Sequence, residues 1–567
     1  MQWPCLLFIG LFLELTKVHS GPAFPLHTSG RVILDAEGHR VRLKCVNWYG
    51  AHLPQLVANG LDRRQPGEIA ETIAKSGFNC VRLPFSLDGV IGNFTIPNPK
   101  VSLAGCPELQ DLSPLEVFDS TVNALTKSGL MVILNNHVST SMWCCSLSDG
   151  EGLWYTEKYP ESSFFQALSF MAQRYKGNPL VIGFDLRNEI RPSGGRWPQW
   201  GSKNNATDWA AAAVVAAKGV LDANENMLII VSGLYFSIFL CQVPVYPLHE
   251  VPFLHGRLVY TAHEYNWFNF HLAARKGIEI YIVVALAVLP LCWLGRCLSQ
   301  SLRLPACPCC RRAVEPAREC CRGPSRSLGS CGLFFQFSAA ALCATLFAFG
   351  LKFSESFIQQ CDIIGVYIAL FCGVLTPTCA LLSLILWSRA AFNIIARRVE
   401  IREAAVQFEL PILSRDLDRE TTVGETPREV RNSTSGCHGC DFPQQAKHCR
   451  GTGCLLAILM LTTVCILISV WYEFGQYPAF AKELDFKWGF LMSGANPAPV
   501  WLGEFGTQRE SLWWKHILRY LHEHDADFAY WSVNGEKYNG ISESFGLFME
   551  DFETVRDPWK LAQLQAL

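Results

Sequence analysis

The stretch Val181-Ile-Gly-Phe-Asp-Leu-Arg-Asn-Glu-Ile-Arg191 is an apolar run with the pattern of a buried strand, and it ends on an amide and a carboxylate side by side. Burying Asn188 and Glu189 at a strand terminus is unfavourable unless both groups have a task there. A second stretch far downstream, Val500-Trp-Leu-Gly-Glu-Phe-Gly506, has the same form and delivers Glu504 to its tip. Two glutamates at two strand ends predict a paired-carboxylate site. Parallel barrels carry their reactive groups at the C-terminal ends of their strands, so the same two stretches also predict the fold.

Around these stretches, strand-like and helix-like segments alternate in the rhythm of a (β/α) barrel. Residues 29–41 read as a small hairpin turning at Asp35-Ala-Glu-Gly-His39. Strands follow at 41–48, 78–84, 131–136, 180–186, 227–231 and 257–261, interleaved with helices at 67–76, 115–128, 162–175 and 209–221. After six strands the pattern breaks. It resumes with a helix at 479–492, a strand at 500–504, a helix at 512–524 and a strand at 528–532. The predicted fold is α/β, a (β/α)8 TIM barrel interrupted between its sixth and seventh strands.

The interruption reads as a four-helix transmembrane insert. Residues 278–294, 332–351, 363–387 and 454–471 are apolar runs of roughly bilayer-spanning length, each nearly free of charge. Four apolar core helices of a water-exposed domain would not carry the flanking charges found here. Arg296, Arg303, Arg311, Arg312, Arg318, Arg322 and Arg326 face only Glu315 and Glu319 between the first two spans, and the 352–362 link is short and slightly acidic. The positive-inside rule then places the 296–331 and 388–453 loops in the cytosol and the barrel outside the cell or in a lumen. An even number of crossings returns the chain to the side it left, so the barrel can be completed. Residues 1–20, with an apolar run from Leu6 to Leu13 and Val18 and Ser20 before Gly21, read as a signal peptide, although the usual positive n-region is missing. An uncleaved anchor is the alternative. The expected division is 1–20 signal, 21–276 barrel strands one to six, 277–471 insert and 472–567 barrel strands seven and eight.

Composition fits this division. The chain has 567 residues, half of them apolar, and a formal charge of −2, so no basic excess points to nucleic acid. Its mean hydropathy of +0.17 is high for a water-soluble enzyme.

Taken in strand order, Arg82, Asn136-His137, Asn188-Glu189, His263-Glu-Tyr265, Glu504 and Trp531 resemble glycoside hydrolase family 5, the cellulase-like barrel enzymes. The resemblance covers residues 30–270 and 475–565. Leu43-Lys-Cys-Val-Asn-Trp-Tyr-Gly50, Asn135-Asn-His-Val-Ser139 and Trp143-Cys-Cys145 look like the branch found in plants, fungi and bacteria. Six such elements in order demand both residue type and spacing, which a lone Asn-Glu pair does not. One departure is Glu189-Ile-Arg191, where many members have proline directly after the glutamate; it bears on subfamily and substrate more than on chemistry.

The resemblance implies a retaining hydrolase of β-linked glycans, with Glu504 as nucleophile and Glu189 as acid and then base, their carboxyls about 5–5.5 Å apart. Arg82 and Tyr265 would hold Glu504 ionised and oriented. Asn188 would bind the sugar 2-hydroxyl, His137 and His263 would bind sugar hydroxyls or tune Glu189, and Trp531 would be the floor under the sugar; Asn136 is a supporting residue. No cofactor and no metal are implied. A lone His or Trp at a strand end is usually ordinary packing, and only the ordered frame raises these three above that reading. The expected partners are the bilayer and a β-linked glycan or a glycolipid such as a glucosylated sphingolipid or sterol. A non-catalytic glycan receptor is the reading furthest from these residues, because both glutamates and their supports are intact.

Trp143, Trp154, Tyr155, Trp197, Trp200, Trp267, Phe268 and Phe270 crowd the expected cleft loops, where aromatic faces stack on sugars or form loop cores. Among the outer-side cysteines, Cys45, Cys80, Cys106, Cys144, Cys145 and Cys241, a bridge from Cys106 to Cys144 or Cys145 is expected, with connectivity left open. On the cytosolic side, Cys437, Cys440, His448 and Cys449 have only part of a zinc spacing, and juxtamembrane cysteines such as Cys297 read better as palmitoylation sites or inert thiols. Asn93 and Asn205 begin outer-side glycosylation sequons, whereas the sequon at Asn432 falls in a cytosolic loop and should stay unmodified.

Overall fold

The computed structural model describes residues 21–269, 468–469, 471–494 and 498–567. The chain divides into two compact units, Met1–Gly277 with Val470–Leu567, and Ile278–Ser469. The first unit is the barrel. The expected signal, the spans except for the last residues of the fourth, Phe270, the cytosolic cysteines and Asn432 lie outside the described residues. Among the described residues no helix is long and apolar enough to cross a membrane.

Eight parallel strands close the barrel: β3 (Lys44–Asn47), β4 (Cys80–Ser86), β5 (Met131–Val138), β6 (Val181–Asp185), β7 (Leu228–Ser232), β8 (Leu258–His263), β9 (Val500–Phe505) and β10 (Asp527–Tyr530), with β10 pairing to β3. All but one of their residues are buried, because helices cover the outside and side chains fill the inside; that double burial explains why the strands read as continuous apolar runs. Parallel register sets Asn47 beside Arg82 and His263 beside Glu504. β6 stops at Asp185, so Asn188 and Glu189 lie on the loop just past the strand rather than within it.

At the entry, β1 (His27–Ser29) and β2 (Val32–Leu34) pair antiparallel around Gly30, whose φ of 53° suits glycine. The hairpin therefore begins before the expected one. The expected turn also forms, since Asp35 Oδ1 accepts from the backbone of Glu37 at 3.0 Å and His39 at 2.8 Å.

Below the reactive end, Cys45, Cys80, Ile133, Ile230, Trp501 and Ala529 share one apolar cluster. Cys45 and Cys80, register partners on β3 and β4, form a disulfide. Cys144 bonds to its neighbour Cys145, and Cys241 is also disulfide-bonded. The expected bridge from Cys106 is wrong: its thiol is free, buried and directed at the Leu61 and Arg64 carbonyls.

Helices Pro66–Lys75, Pro114–Lys127, Glu161–Arg174, Trp209–Ala223 and Leu512–Glu523 match the expected ones closely. Their starts carry local signals, such as the reciprocal cap between Ser113 and Glu116 and the Asp208 carboxylate on the Ala211 amide. The 479–492 helix is instead three pieces, Tyr477–Leu484, a π-helical turn Asp485–Gly489 and Phe490–Ser493. An outer helix at Pro558–Gln565 was not anticipated; its eight residues bury only Lys560, Leu561 and Leu564, too few for a clear period.

Candidate active site

Arg82 organises the C-terminal face of the barrel. Fully buried on β4, it places Nη1 2.6 Å from Glu504 Oε1 and donates to Asn47 Oδ1 at 3.0 Å. Nε donates to Asp185 Oδ2 at 2.8 Å and Nη2 to Asn188 Oδ1 at 2.8 Å. One guanidinium thus ties β3, β4, β6 and β9 to the loop that carries Glu189. A buried arginine is strongly unfavourable without such partners, and here every arm has one.

Tyr265 completes the grip on Glu504, donating to Oε2 at 3.0 Å. Glu189 lies opposite. One carboxylate oxygen from each glutamate and a ring nitrogen of His263 all fall within 4.8 Å of one another. His263 Nδ1 is 3.0 Å from Glu189 Oε1 and 3.7 Å from Glu504 Oε2, so it stands between the two. This trio has the donor chemistry of a cation site, but the Arg82 guanidinium already supplies a positive charge to Glu504.

Glu189 has a φ of 41°, a left-handed backbone that costs a non-glycine residue on the order of 1–3 kcal/mol. The strain is held from both sides. Asn188 N donates to Asn136 O at 2.9 Å, and Arg191 Nη1 donates to Glu189 O at 2.8 Å. Arg191 is itself buried and ion-paired to Asp149 at 2.6 Å. Arg191, two residues past Glu189 in the stretch that lacks the usual proline, therefore braces the backbone that carries the carboxylate.

Burial separates the two carboxyls from ordinary glutamates. It pushes Glu189 up to about 7, with only the more distant charges of Arg191 and Arg82 opposing. Glu504 is also raised by burial, against His263 and the directly bonded Arg82. Because Glu504 has the cation in contact and Glu189 does not, the proton belongs on Glu189. Burial lowers His263 to about 4, so its ring is neutral near pH 7.

The remaining expected residues assemble around this pair, with one exception. His137 Nδ1 contacts Asn135 Oδ1 at 2.8 Å, its Nε2 lies 3.4 Å from Asn188 Nδ2, and its ring stacks on Trp531. Trp531 stacks in turn on Tyr49, with centroids 4.8 Å apart. With its oxygen taken by Arg82, Asn188 presents its amide nitrogen toward His137 and the Cys144 and Cys145 sulfurs. Asn136 points away from the carboxylates, to Arg187 at 2.9 Å and the Val138 carbonyl. Of the cleft aromatics, Trp154 and Trp200 are loop cores, whereas Trp143, Trp197 and Trp267 are 42%, 48% and 56% exposed. Asn93 and Asn205 are both exposed.

Sequence reading missed Asn47, Tyr49, His52, Asn135, Asp185 and Arg187. Asp185 was visible as a carboxylate inside the apolar run of β6. His52, whose ring lies 4.2 Å from His137, had no signal at all, because it sits on a loop without period.

Comparison with known proteins places this geometry. The Cellulase (glycosyl hydrolase family 5) model matches residues 34–282. A "Glycosyl hydrolase 5 family protein" of Chamaecyparis obtusa is 35% identical over 283 residues, 47% of this chain and 48% of the relative. An endoglucanase of Paenibacillus polymyxa is 32% identical over 262 residues, 43% of this chain and 62% of the relative. The chain thus spans about half the length of the curated relatives it matches. Among solved structures, the catalytic domain of the major endoglucanase of Xanthomonas campestris pv. campestris superposes with a TM-score of 0.51 at 17% identity, covering 95% of this chain and 98% of that one, a likeness of fold. An endocellulase of Pyrococcus horikoshii, solved with cellotetraose, gives 0.51 at 16%, covering 95% of this chain and 97% of that one. Family model and relatives agree in one respect: residues 34–282 are similar to the cellulase domain of glycosyl hydrolase family 5.

Proposed function

We propose that the chain is a membrane-tethered retaining glycoside hydrolase that cleaves β-linked glycans of the β-glucan type by double displacement. The observation that carries this reading is the approach of the Glu189 and Glu504 oxygens to within 4.8 Å. That closeness favours a direct nucleophile over an inverting site, which needs about 6.5–9.5 Å between carboxyls to admit water. In the first step the Glu504 carboxylate attacks the anomeric carbon while Glu189 donates its proton to the leaving oxygen. In the second, Glu189 as carboxylate takes a proton from water, which attacks the same carbon and releases Glu504. Arg82 and Tyr265 keep Glu504 ionised and aimed, Asn188 meets the 2-hydroxyl, and Trp531 with Tyr49 lies under the ring.

The tether and its orientation rest on the apolar runs and flanking arginines of 277–471, which place the barrel outside the cell or in a lumen. A second reading, a glycolipid β-glycosidase, is favoured by where the barrel is interrupted. The chain leaves it a dozen residues after His263 and Tyr265, on the strand-to-helix side that also carries the carboxylates.

The deciding experiment assays full-length protein on β-glucan, mannan and glucosylceramide side by side and follows the anomeric proton by NMR. β-Product appearing first on β-glucan supports the main reading, and activity confined to glucosylceramide supports the second. An α-product appearing first would refute retention.

A further inference from the structure

Beside the carboxylate pair lies a buried charge cluster that the catalytic reading does not use. Lys487 Nζ is 3.1 Å from Glu264 Oε2 and 2.8 Å from Glu483 Oε1, and it donates to the Phe268 carbonyl at 2.8 Å. All three side chains are more than nine-tenths buried. Glu264 and Phe268 are on the chain leaving the barrel, whereas Glu483 and Lys487 are on the chain returning to it.

The cluster's location gives it a role. Strand β8 ends at His263, and just beyond it one more backbone bond reaches β9. Glu264 N donates to Glu504 O at 3.0 Å, which puts Glu264 between His263, bonded to Glu189, and Tyr265, bonded to Glu504. The Lys487 ammonium holds the Glu264 carboxylate on one side of Tyr265 and the Phe268 carbonyl on the other. Between these anchors Trp267 stacks on Tyr265 with centroids 4.6 Å apart and planes within 5°.

Lys487 is itself fixed. It occupies the π-helical turn, whose altered hydrogen bonding leaves its carbonyl to accept from Leu240 N at 2.8 Å. Asp485 in the same turn accepts from the Tyr520 hydroxyl, a contact that a side chain at Gly489 would block. Burial lowers Lys487, but the Glu264 and Glu483 carboxylates more than offset it and hold it above the ordinary lysine value, so the ammonium stays charged.

We propose that Lys487 is a positioning residue for the catalytic pair, bracketing the 263–268 segment so that His263 and Tyr265 meet Glu189 and Glu504 across the point where the barrel is interrupted. The proposal rests on the assignment of Glu189 and Glu504 as the reacting groups.

The test compares full-length wild type, Lys487→Met, Lys487→Arg, Glu264→Gln and Glu504→Gln on an unactivated cello-oligosaccharide, whose cleavage needs the acid, at a temperature well below each variant's Tm. Asp527→Asn is the control, since it removes the charge of another buried carboxylate, ion-paired to the partly exposed Arg40 at 2.9 Å, at the opposite end of the barrel. Lys487→Met should lower kcat about tenfold or more, as a small misplacement of reacting groups does. KM should change little, and the basic limb of the pH–rate profile should move, because His263 no longer sits squarely on Glu189. That limb also feels Arg82, Arg191, Asp149 and Glu504, all unchanged in the variant. Lys487→Arg should recover part of the rate, and Asp527→Asn should lower only Tm. If Lys487→Met fails to fold, Glu264→Gln, which removes the ion pair while keeping shape, gives the same reading. A folded Lys487→Met or Glu264→Gln with wild-type kcat and pH profile would overturn the proposal and leave Lys487 a purely structural ion. Wild-type activity that survives Glu504→Gln would instead overturn the catalytic assignment, and the positioning role with it.

Discussion

Glu189 and Glu504 are the same amino acid, and what touches each one separates their chemistry. Glu504 has a guanidinium at 2.6 Å and a phenol at 3.0 Å, whereas Glu189 has a neutral imidazole. Since burial raises Glu189 to about 7, it is protonated below that pH and loses its proton above it. A general acid works only while protonated, so kcat/KM for unactivated glycans should fall as pH rises through about 7. A flat profile from pH 6 to 9 would contradict this role. Glu189→Ala should cost about 10²–10⁴-fold on such substrates. On aryl glycosides with good leaving groups it should still form the glycosyl–enzyme, visible as a burst. Glu504→Gln keeps the shape but cannot form the ester, and should lose on the order of 10⁴-fold or more on every substrate. At this scale the sequence was readable where a group stood at a strand end within a run. It was silent on His52, and it presented Asp185 and Asn47 without saying that both converge on Arg82.

The strands and helices were legible because their signals are local. An apolar run bounded by turns, or a Ser113-x-x-Glu116 cap before a periodic stretch, needs no knowledge of distant residues. The π-helical turn at 485–489 was not legible, since it follows from Leu240, Tyr520 and Glu264 meeting it in space. Cysteine pairing failed for the same reason. Cys106 was expected to bridge, yet its loop points it at backbone carbonyls, and Cys45 pairs with Cys80 because β3 and β4 are neighbours in register. The Cys45–Cys80 bridge closes a loop of 35 residues, for which chain entropy predicts a contribution of about 4 kcal/mol. Cys45→Ala/Cys80→Ala should therefore lower unfolding free energy by about 2–5 kcal/mol in denaturant titrations, with kcat unchanged at low temperature. A loss below about 1 kcal/mol would show that strand pairing alone holds this seam.

For the whole molecule, the question is what the 277–471 segment adds to the barrel. Lys487, Glu483, Glu264 and Phe268 are tied together within the barrel unit, so both ends of the interruption are anchored without that segment. Replacing 277–471 with a short Gly/Ser linker should leave a folded barrel with near wild-type rates on small aryl glycosides and reduced rates on vesicle-borne glucosylceramide. Rates unchanged from the intact chain on both substrates would make the segment a tether alone. Glycan mapping tests the orientation: modification at the exposed Asn93 and Asn205 and none at Asn432 is expected, and a glycan at Asn432 would invert the topology.

The sequence by itself determined the eight-strand barrel, its interruption and the two carboxylates, because each is written in a short contiguous run whose period or terminus carries the information. The resemblance implied Glu189 as the acid, and tertiary structure alone supplies the physical reason for a proton there. Arg82 and Glu504 are 422 residues apart, and His263 and Glu189 are 74 apart. Only closure of the barrel brings these groups within hydrogen-bonding distance and removes the water that would otherwise level their pKa values.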